Sequence, residues 1–201
     1  MVQKDNQIPL IIQKTNQLLQ EKPYIIIAID GRSAAGKTTF AHLLQKELTC
    51  NVIHMDDFFL RPKQRTEERM SLPGENIDHE RFLTEVLLPL SKHQSFSYRP
   101  YDCHTQNFKK PIMVQPNPVS VVEGVYSCHP ALWDYYDLHI FLDVDSQTQN
   151  QRIHVRNDAE TAKRFEELWI PLEEKYFSAF GAARQWDCYF KSIDESNKKK
   201  G

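Results

Sequence analysis

The chain has 201 residues, 40% of them hydrophobic and 26% charged, with a formal net charge of −2. That size and balance describe one ordinary soluble domain with room for a full core, and the lack of a basic excess argues against wholesale binding to nucleic acid or to an acidic membrane. Cys50, Cys103, Cys128 and Cys188 form no CxxC pair and the histidines show no HExxH-like spacing, so reduced thiols, no structural zinc and a cytoplasmic location are expected.

Taken in chain order, the first segment carries Ile8, Ile11, Ile12, Thr15, Leu18 and Leu19 at helical spacing. This predicts an amphipathic helix covering one edge of the domain. It has no signal-peptide core, and no apolar run in the sequence reaches the length of a membrane span, so no membrane association is expected.

Next comes an apolar run, Ile25 to Ile29, followed directly by "DGRSAAGKTTF". Gly31, Gly36, Lys37 and Thr38 satisfy GxxxxGK[ST], the phosphate-binding loop pattern, placed after a buried strand and before a helix over 37–48. Glycine lets the backbone turn tightly and approach an anion, and successive N–H groups converge on phosphate oxygens with the helix N-terminus behind them. The candidate nucleotide cradle is therefore Gly31, Arg32, Ser33, Ala34, Ala35, Gly36, Lys37, Thr38 and Thr39. Lys37 is placed for the outer phosphates, and the Thr38 hydroxyl for magnesium. The NKxD and DxxG motifs of translation-factor and Ras-like GTPases are missing.

A second run, Val52 to Met55, delivers Asp56 and Asp57, and a helical pattern follows over 78–90. The stretch from Phe96 to Val114 is rich in proline and aromatics and reads either as a hairpin insert or as an irregular surface loop. A third run, Val119 to Val122, ends in Glu123 and Gly124; a fourth spans Leu138 to Leu142. Ligands of parallel sheets bind beyond the carboxyl ends of the strands, so Asp56 and Glu123 are expected near the loop, one to accept a hydroxyl proton and the other to hold magnesium. A long helical pattern starts near Gln147. If it is one helix, Arg152, Arg156 and Lys163 share a face. Either they form a solvated stripe or the arginines close as a lid on phosphates. The later "FEELWIPLEEKYFSAF" reads as core, with Pro171 expected to kink or divide the helix. Cys188 to Phe190 is a candidate fifth strand, and the lysine-rich tail reads as a solvated end.

In this order, "AIDGRSAAGKTT", "HMDDFFLRP", "NIDHERF", "RPYDCH" and "VSVVEGVYS" resemble motifs of the uridine kinase and phosphoribulokinase-like P-loop kinases. The resemblance implies a three-layer α/β fold with a five-stranded parallel sheet: one domain over 1–201, with a substrate-binding hairpin at about 91–117 and an arginine-bearing helical lid at about 146–168. It makes Asp56 the proton acceptor, gives Glu123 the magnesium-associated role, and places Phe59, Asp78 and Tyr101 against a nucleoside. His104 is a further candidate for the substrate pocket, although it falls earlier than the pocket histidine of uridine–cytidine kinases, and the "DDFF" form is also close to nicotinamide riboside kinases. The implied function is transfer of a γ-phosphoryl group from ATP, with Mg2+, to a primary hydroxyl of uridine or cytidine. Nicotinamide riboside or another small metabolite is the alternative acceptor, and a nucleotide-binding regulator the alternative class. The resemblance also allows a homo-oligomer.

Overall fold

The computed structural model describes residues 4–181 and 184–192. Helix α1 (Lys4–Glu21) leads into strand β1 (Ile25–Gly31), then α2 (Lys37–Leu48) and β2 (Asn51–His54). A 3-10 turn, Met55–Phe58, and a short helix α3 (Glu67–Ser71) precede a helical run made of α4 (His79–Phe82), a π turn at Leu83–Leu87 and α5 (Leu88–Ser91).

The insert consists of two small antiparallel pairs. Strand β3 (Phe96–Tyr98) pairs with β6 (Ile112–Val114), and β4 (Tyr101–Asp102) pairs with β5 (Asn107–Phe108) between them. Strands β7 (Val119–Glu123) and β8 (Leu138–Val144) follow, then α6 (Ser146–Arg156), α7 (Ala159–Arg164), a π turn at Phe165–Trp169, α8 (Ile170–Tyr176), a second π turn at Phe177–Gly181 and β9 (Cys188–Ser192).

The main sheet has five strands in the order β2-β7-β1-β8-β9, and every pairing is parallel. Strand alternation divides β1 between two cores. Ile25, Ile27 and Ile29 pack with Phe40, Ala41 and Leu44 of α2 and with Ile11 of α1. Ile26 and Ala28 pack on the opposite face with Phe82, Val86 and Leu87 of the α4–α5 run and with Tyr176 and Phe177. Helix α1 packs beside α2 on this face of the sheet, with Ile11 fully buried and Ile8, Leu18 and Leu19 partly so.

One expectation about the later helices needs correction. The pattern from Gln147 is not one helix: Asn157 is extended (φ −120, ψ 160), and Asp158 starts α7 by accepting from the Thr161 N–H. Arg152 and Arg156 therefore lie on a different helix from Lys163. Pro171, expected to kink or divide the helix, falls where the run passes from a π turn into a new α-helix. It sits in the first turn of α8 behind a π turn, and Pro89 repeats that arrangement at the start of α5. A proline ring crowds the carbonyl of the preceding turn and offers no N–H, and a widened turn accommodates both.

Candidate active site

The loop after β1 is shaped by residues on the left-handed side of backbone space. Gly31 has φ 137, and a Cβ there would lie 2.0 Å from the Leu142 carbonyl oxygen of the neighbouring strand. Glycine is required. Ala34 (φ 60) and Gly36 (φ 96) complete the reversal, and Gly36 caps α2. Such alternation turns consecutive N–H groups toward one concavity, which suits a phosphate. The Lys37 ammonium arches over the loop and donates to the carbonyls of Gly31 (2.8 Å) and Arg32 (2.9 Å). Thr38 and Thr39 stay accessible at the start of α2, whereas Ala35 is buried.

The acids at the strand ends converge beside it. Thr38 Oγ1 donates to Glu123 Oε1 at 3.0 Å, and His54 Nδ1, at the end of β2, lies 2.6 Å from the same oxygen. Glu123 is buried. Its carboxylate raises the His54 pKa above the ordinary value, against the opposing effect of burial. A hydroxyl and a carboxylate at this separation are two hard oxygen donors of the kind Mg2+ takes alongside water, so the residues fit that ion. Gly124 (φ 142) permits a close crossing, since a Cβ there would lie 2.7 Å from Met55 Cβ. That crossing sets the Met55–Phe58 turn, and with it Asp56, against the end of β7.

Asp56 keeps a solvent-exposed face but is otherwise surrounded by protein. This crowding raises its pKa; Lys37 acts in the opposite direction, Glu123 adds to the rise, and His54 and Asp57 contribute with opposite signs. Lys37, Thr38, Glu123 and Asp56 therefore form one electrostatic unit. Asp57 points elsewhere and accepts from the Tyr98 hydroxyl at 3.1 Å.

The residues expected against a nucleoside are scattered in character. Phe59 is half-buried and bridges to Ile77. Asp78 is buried and caps α4: Oδ1 accepts from the Arg81 N–H (3.2 Å), and Oδ2 accepts from Gln64 Nε2 (2.8 Å). Tyr101 is buried edge-on to Phe108 in the inner hairpin pair. His104 is exposed in the turn between β4 and β5, with its backbone N–H bonded to Asp102. The expected lid cations also separate. Arg152 Nη1 donates to the Ala34 carbonyl at 3.1 Å, reaching the loop, and Nη2 donates to Ser192 Oγ at 2.9 Å. Arg156 is exposed and lies 5.6 Å from the centre of the Phe165 ring. Arg164 pairs with Glu160, and Lys163 with Glu167, each within α7 and the turn that follows.

Sequence reasoning missed two buried carboxylates that shape the loop. Asp30 is fully buried; Oδ1 accepts from the N–H groups of Gly31 (2.7 Å) and Tyr126 (3.1 Å), and Oδ2 from the Cys128 N–H (3.0 Å) and the Tyr176 hydroxyl (2.9 Å). It ties β1 to the segment after β7. Glu173, on α8, accepts from the Ser33 N–H at 3.0 Å and from the Ser33 hydroxyl. Asp30 stands at the head of the loop motif, yet nothing local distinguishes a strand-end carboxylate with four partners from a solvated one. Glu173 lies 140 residues from Ser33 in sequence, so no spacing could reveal that pair.

Residues 26–168 match the profile of the Phosphoribulokinase / Uridine kinase family. The chain is 28% identical over 151 residues to the uridine kinase of Alkaliphilus metalliredigens (strain QYMF), covering 70% of this chain and 71% of that protein. It is 27% identical over 168 residues to uridine kinase-like protein 3 of Arabidopsis thaliana, covering 77% of this chain but only 36% of that longer protein. A solved structure described as a possible uridine kinase from Bacillus stearothermophilus superposes with a TM-score of 0.67 at 19% identity, over 92% of this chain and 98% of the other, and shares the fold. No helix among the described residues is long and apolar enough to cross a membrane. With a profile match running from the phosphate loop through both acidic strand ends into α6 and α7, the chain belongs to the Phosphoribulokinase / Uridine kinase family of P-loop phosphotransferases.

Proposed function

We propose that the protein transfers the γ-phosphoryl group of ATP to a primary hydroxyl of a nucleoside, with uridine or cytidine as the first acceptors to test and nicotinamide riboside next. The observation that carries this reading is the position of Asp56: a carboxylate with a raised pKa, on a turn beside the Thr38–Glu123 pair and within the field of Lys37.

In the mechanism, the loop amides and Lys37 bind and orient the phosphates, so that much of the barrier is met by positioning and fixed charge. Thr38 and Glu123 would hold Mg2+, which when bound offsets phosphate charge. Asp56 accepts the hydroxyl proton of the incoming alcohol, and its elevated pKa strengthens it as a base without removing its charge from the reach of Lys37. Arg152, already on the loop at Ala34, would turn its guanidinium toward phosphate. Phe59 and the hairpin would offer apolar surface to a base or ring, Tyr101 would have to turn out of its packing on Phe108, and Asp78 would have to exchange Gln64 for a ribose hydroxyl.

ADP release measured across nucleosides and small hydroxylated metabolites tests the reading. The Asp56→Ala variant should lose about 10²–10⁴-fold in kcat, the usual range for a general base, while its affinity for ADP changes by less than a few fold. Unchanged turnover in that variant removes Asp56 from the chemistry. ADP release that no acceptor stimulates would favour a nucleotide-binding regulator instead.

A further inference from the structure

Three consecutive residues of the phosphate loop are gripped by side chains from the C-terminal third of the chain. Arg32 donates through Nε to Asp143 Oδ1 at 2.9 Å and pairs with Glu174. Ser33 gives both its N–H (3.0 Å) and its hydroxyl to Glu173, and the Ala34 carbonyl accepts from Arg152. Two successive residues of α8 thus hold two successive residues of the loop.

The Ser33–Glu173 contact differs in kind from the others. Ser33 has two hydrogen-bond donors, and both point at one buried carboxylate. A phosphate oxygen is also an acceptor only, so one seated against Ser33 would take the donors that Glu173 already uses. Both anions would also lie in the field of Lys37, whose charge acts on Glu173, and like charges brought together in a shielded site oppose one another. Glu173 and an outer phosphate are therefore alternative occupants of the same donors.

We propose that Glu173 is a built-in competitor for nucleotide phosphate, a carboxylate carried by α8 that must release Ser33 before the outer phosphates seat fully in the loop. The inference rests on the kinase reading above and concerns regulation of the same site. It makes α8 a latch: phosphate binding at the loop loosens the hold of α8, and anything that stabilises α8 in place weakens nucleotide binding. A purely structural Glu173 predicts the reverse, since removing a brace that shapes the loop would reduce affinity.

The test is calorimetric titration of ADP and of the non-hydrolysable analogue AMPPNP, with Mg2+, into the wild-type protein, Glu173→Gln and Glu173→Ala, after thermal melting has confirmed that each is folded. In Glu173→Gln the amide still accepts the Ser33 N–H and can donate to its hydroxyl oxygen, which keeps the brace while removing the charge and freeing the hydroxyl proton. Competition predicts about 5–20-fold tighter AMPPNP binding in Glu173→Gln, equivalent to about 1–2 kcal/mol, with a smaller gain for ADP. Should Glu173→Ala prove too unstable to assay, Glu173→Gln alone decides the matter. Unchanged or weaker AMPPNP binding in Glu173→Gln, with wild-type binding intact, overturns the competitor role and leaves the kinase reading standing. If none of the folded proteins binds either nucleotide, the kinase reading fails and the competitor role falls with it.

Discussion

At the residue scale, the site divides into parts that a local pattern can reveal and parts that only the fold can assemble. Gly31, Gly36, Lys37 and Thr38 lie within one turn, and their chemistry depends on spacing along it, so the motif is readable. Asp56 and Glu123 are readable for a second reason: each follows an apolar run, and strand ends converge in a parallel sheet. His54 is not, because a histidine at a strand terminus is uninformative until its Nδ1 is found 2.6 Å from Glu123. Gly31 offers a sharp test at this scale. Its φ of 137, and the mere 2.0 Å that would separate a Cβ from the Leu142 carbonyl oxygen, leave no room for a side chain, and the obstacle is backbone of the central sheet. The Gly31→Ala variant should lose about 2–4 kcal/mol of stability in urea unfolding, combining backbone strain with a steric clash, and its nucleotide affinity should fall. A loss below about 0.5 kcal/mol, within the usual range of harmless surface changes, would contradict the loop geometry.

At the scale of elements, the central strands β1, β7 and β8 are the most legible because each is a short apolar run buried on both faces. The helix over Lys37–Leu48 has the same ends in both readings. The segment over α6 and α7, expected to be a lid, is the least legible. Its pattern continues through Asn157 and Asp158 with no glycine or proline to stop it, and the break depends on Asp158 acting as a cap, a role open to many solvated aspartates. The consequence for the site is direct: Arg152 reaches the loop while Arg156 stacks on Phe165, so the two arginines should differ in effect. Arg152→Ala is expected to lower kcat/KM by at least about 10-fold, as loss of a charge-stabilising contact, and Arg156→Ala by less than about 2-fold. Equal losses would show that α6 reorients on closure. The N-terminal helix gives a stability counterpart. Ile11 is fully buried between α1 and the sheet, so Ile11→Ala should cost about 2–4 kcal/mol through lost burial and a residual cavity. Denaturant unfolding would show a change below about 0.5 kcal/mol if α1 were only a loose cover.

At the scale of the whole molecule, the alternation of strands and helices specifies a three-layer parallel architecture, but not that β1 lies between β7 and β8 or that α8 returns to the loop. Those are facts of tertiary packing, and they also create ionisable groups whose behaviour can be measured. His129, after β7, is buried; burial first, then the positive fields of His79 and Arg184, push its pKa down to about 3. Its ring stacks on His79 at 4.2 Å, and both histidines approach Glu75. The three side chains bring metal-donor atoms within 4.8 Å of one another. However, His129 Nδ1 accepts from the Ala131 N–H at 3.2 Å, which leaves the proton on Nε2, the atom that faces Glu75 at 3.7 Å, so neither ring nitrogen is a free donor to a metal. The unfolded chain protonates this histidine below about pH 6.5, whereas the folded protein does so only near about 3. Between those limits the unfolded state binds the additional proton, so acid lowers stability by up to about 1.4 kcal/mol per pH unit from this group. His54 acts with the opposite sign. Its raised pKa contributes stability that is complete below about pH 6.5 and is lost as pH rises through the folded value. Buried carboxyls with raised pKa, Asp30 and Glu173 among them, also favour the folded state in acid, so the wild-type profile alone mixes these effects. Comparing the wild-type protein with His129→Gln separates them, because only the histidine differs. The wild-type stability relative to the variant should fall steadily from about pH 6 to about pH 4 in urea titrations. A constant difference across that interval would mean that His129 takes up its proton in the folded protein as readily as in the unfolded chain, and that the buried cluster does not hold it neutral.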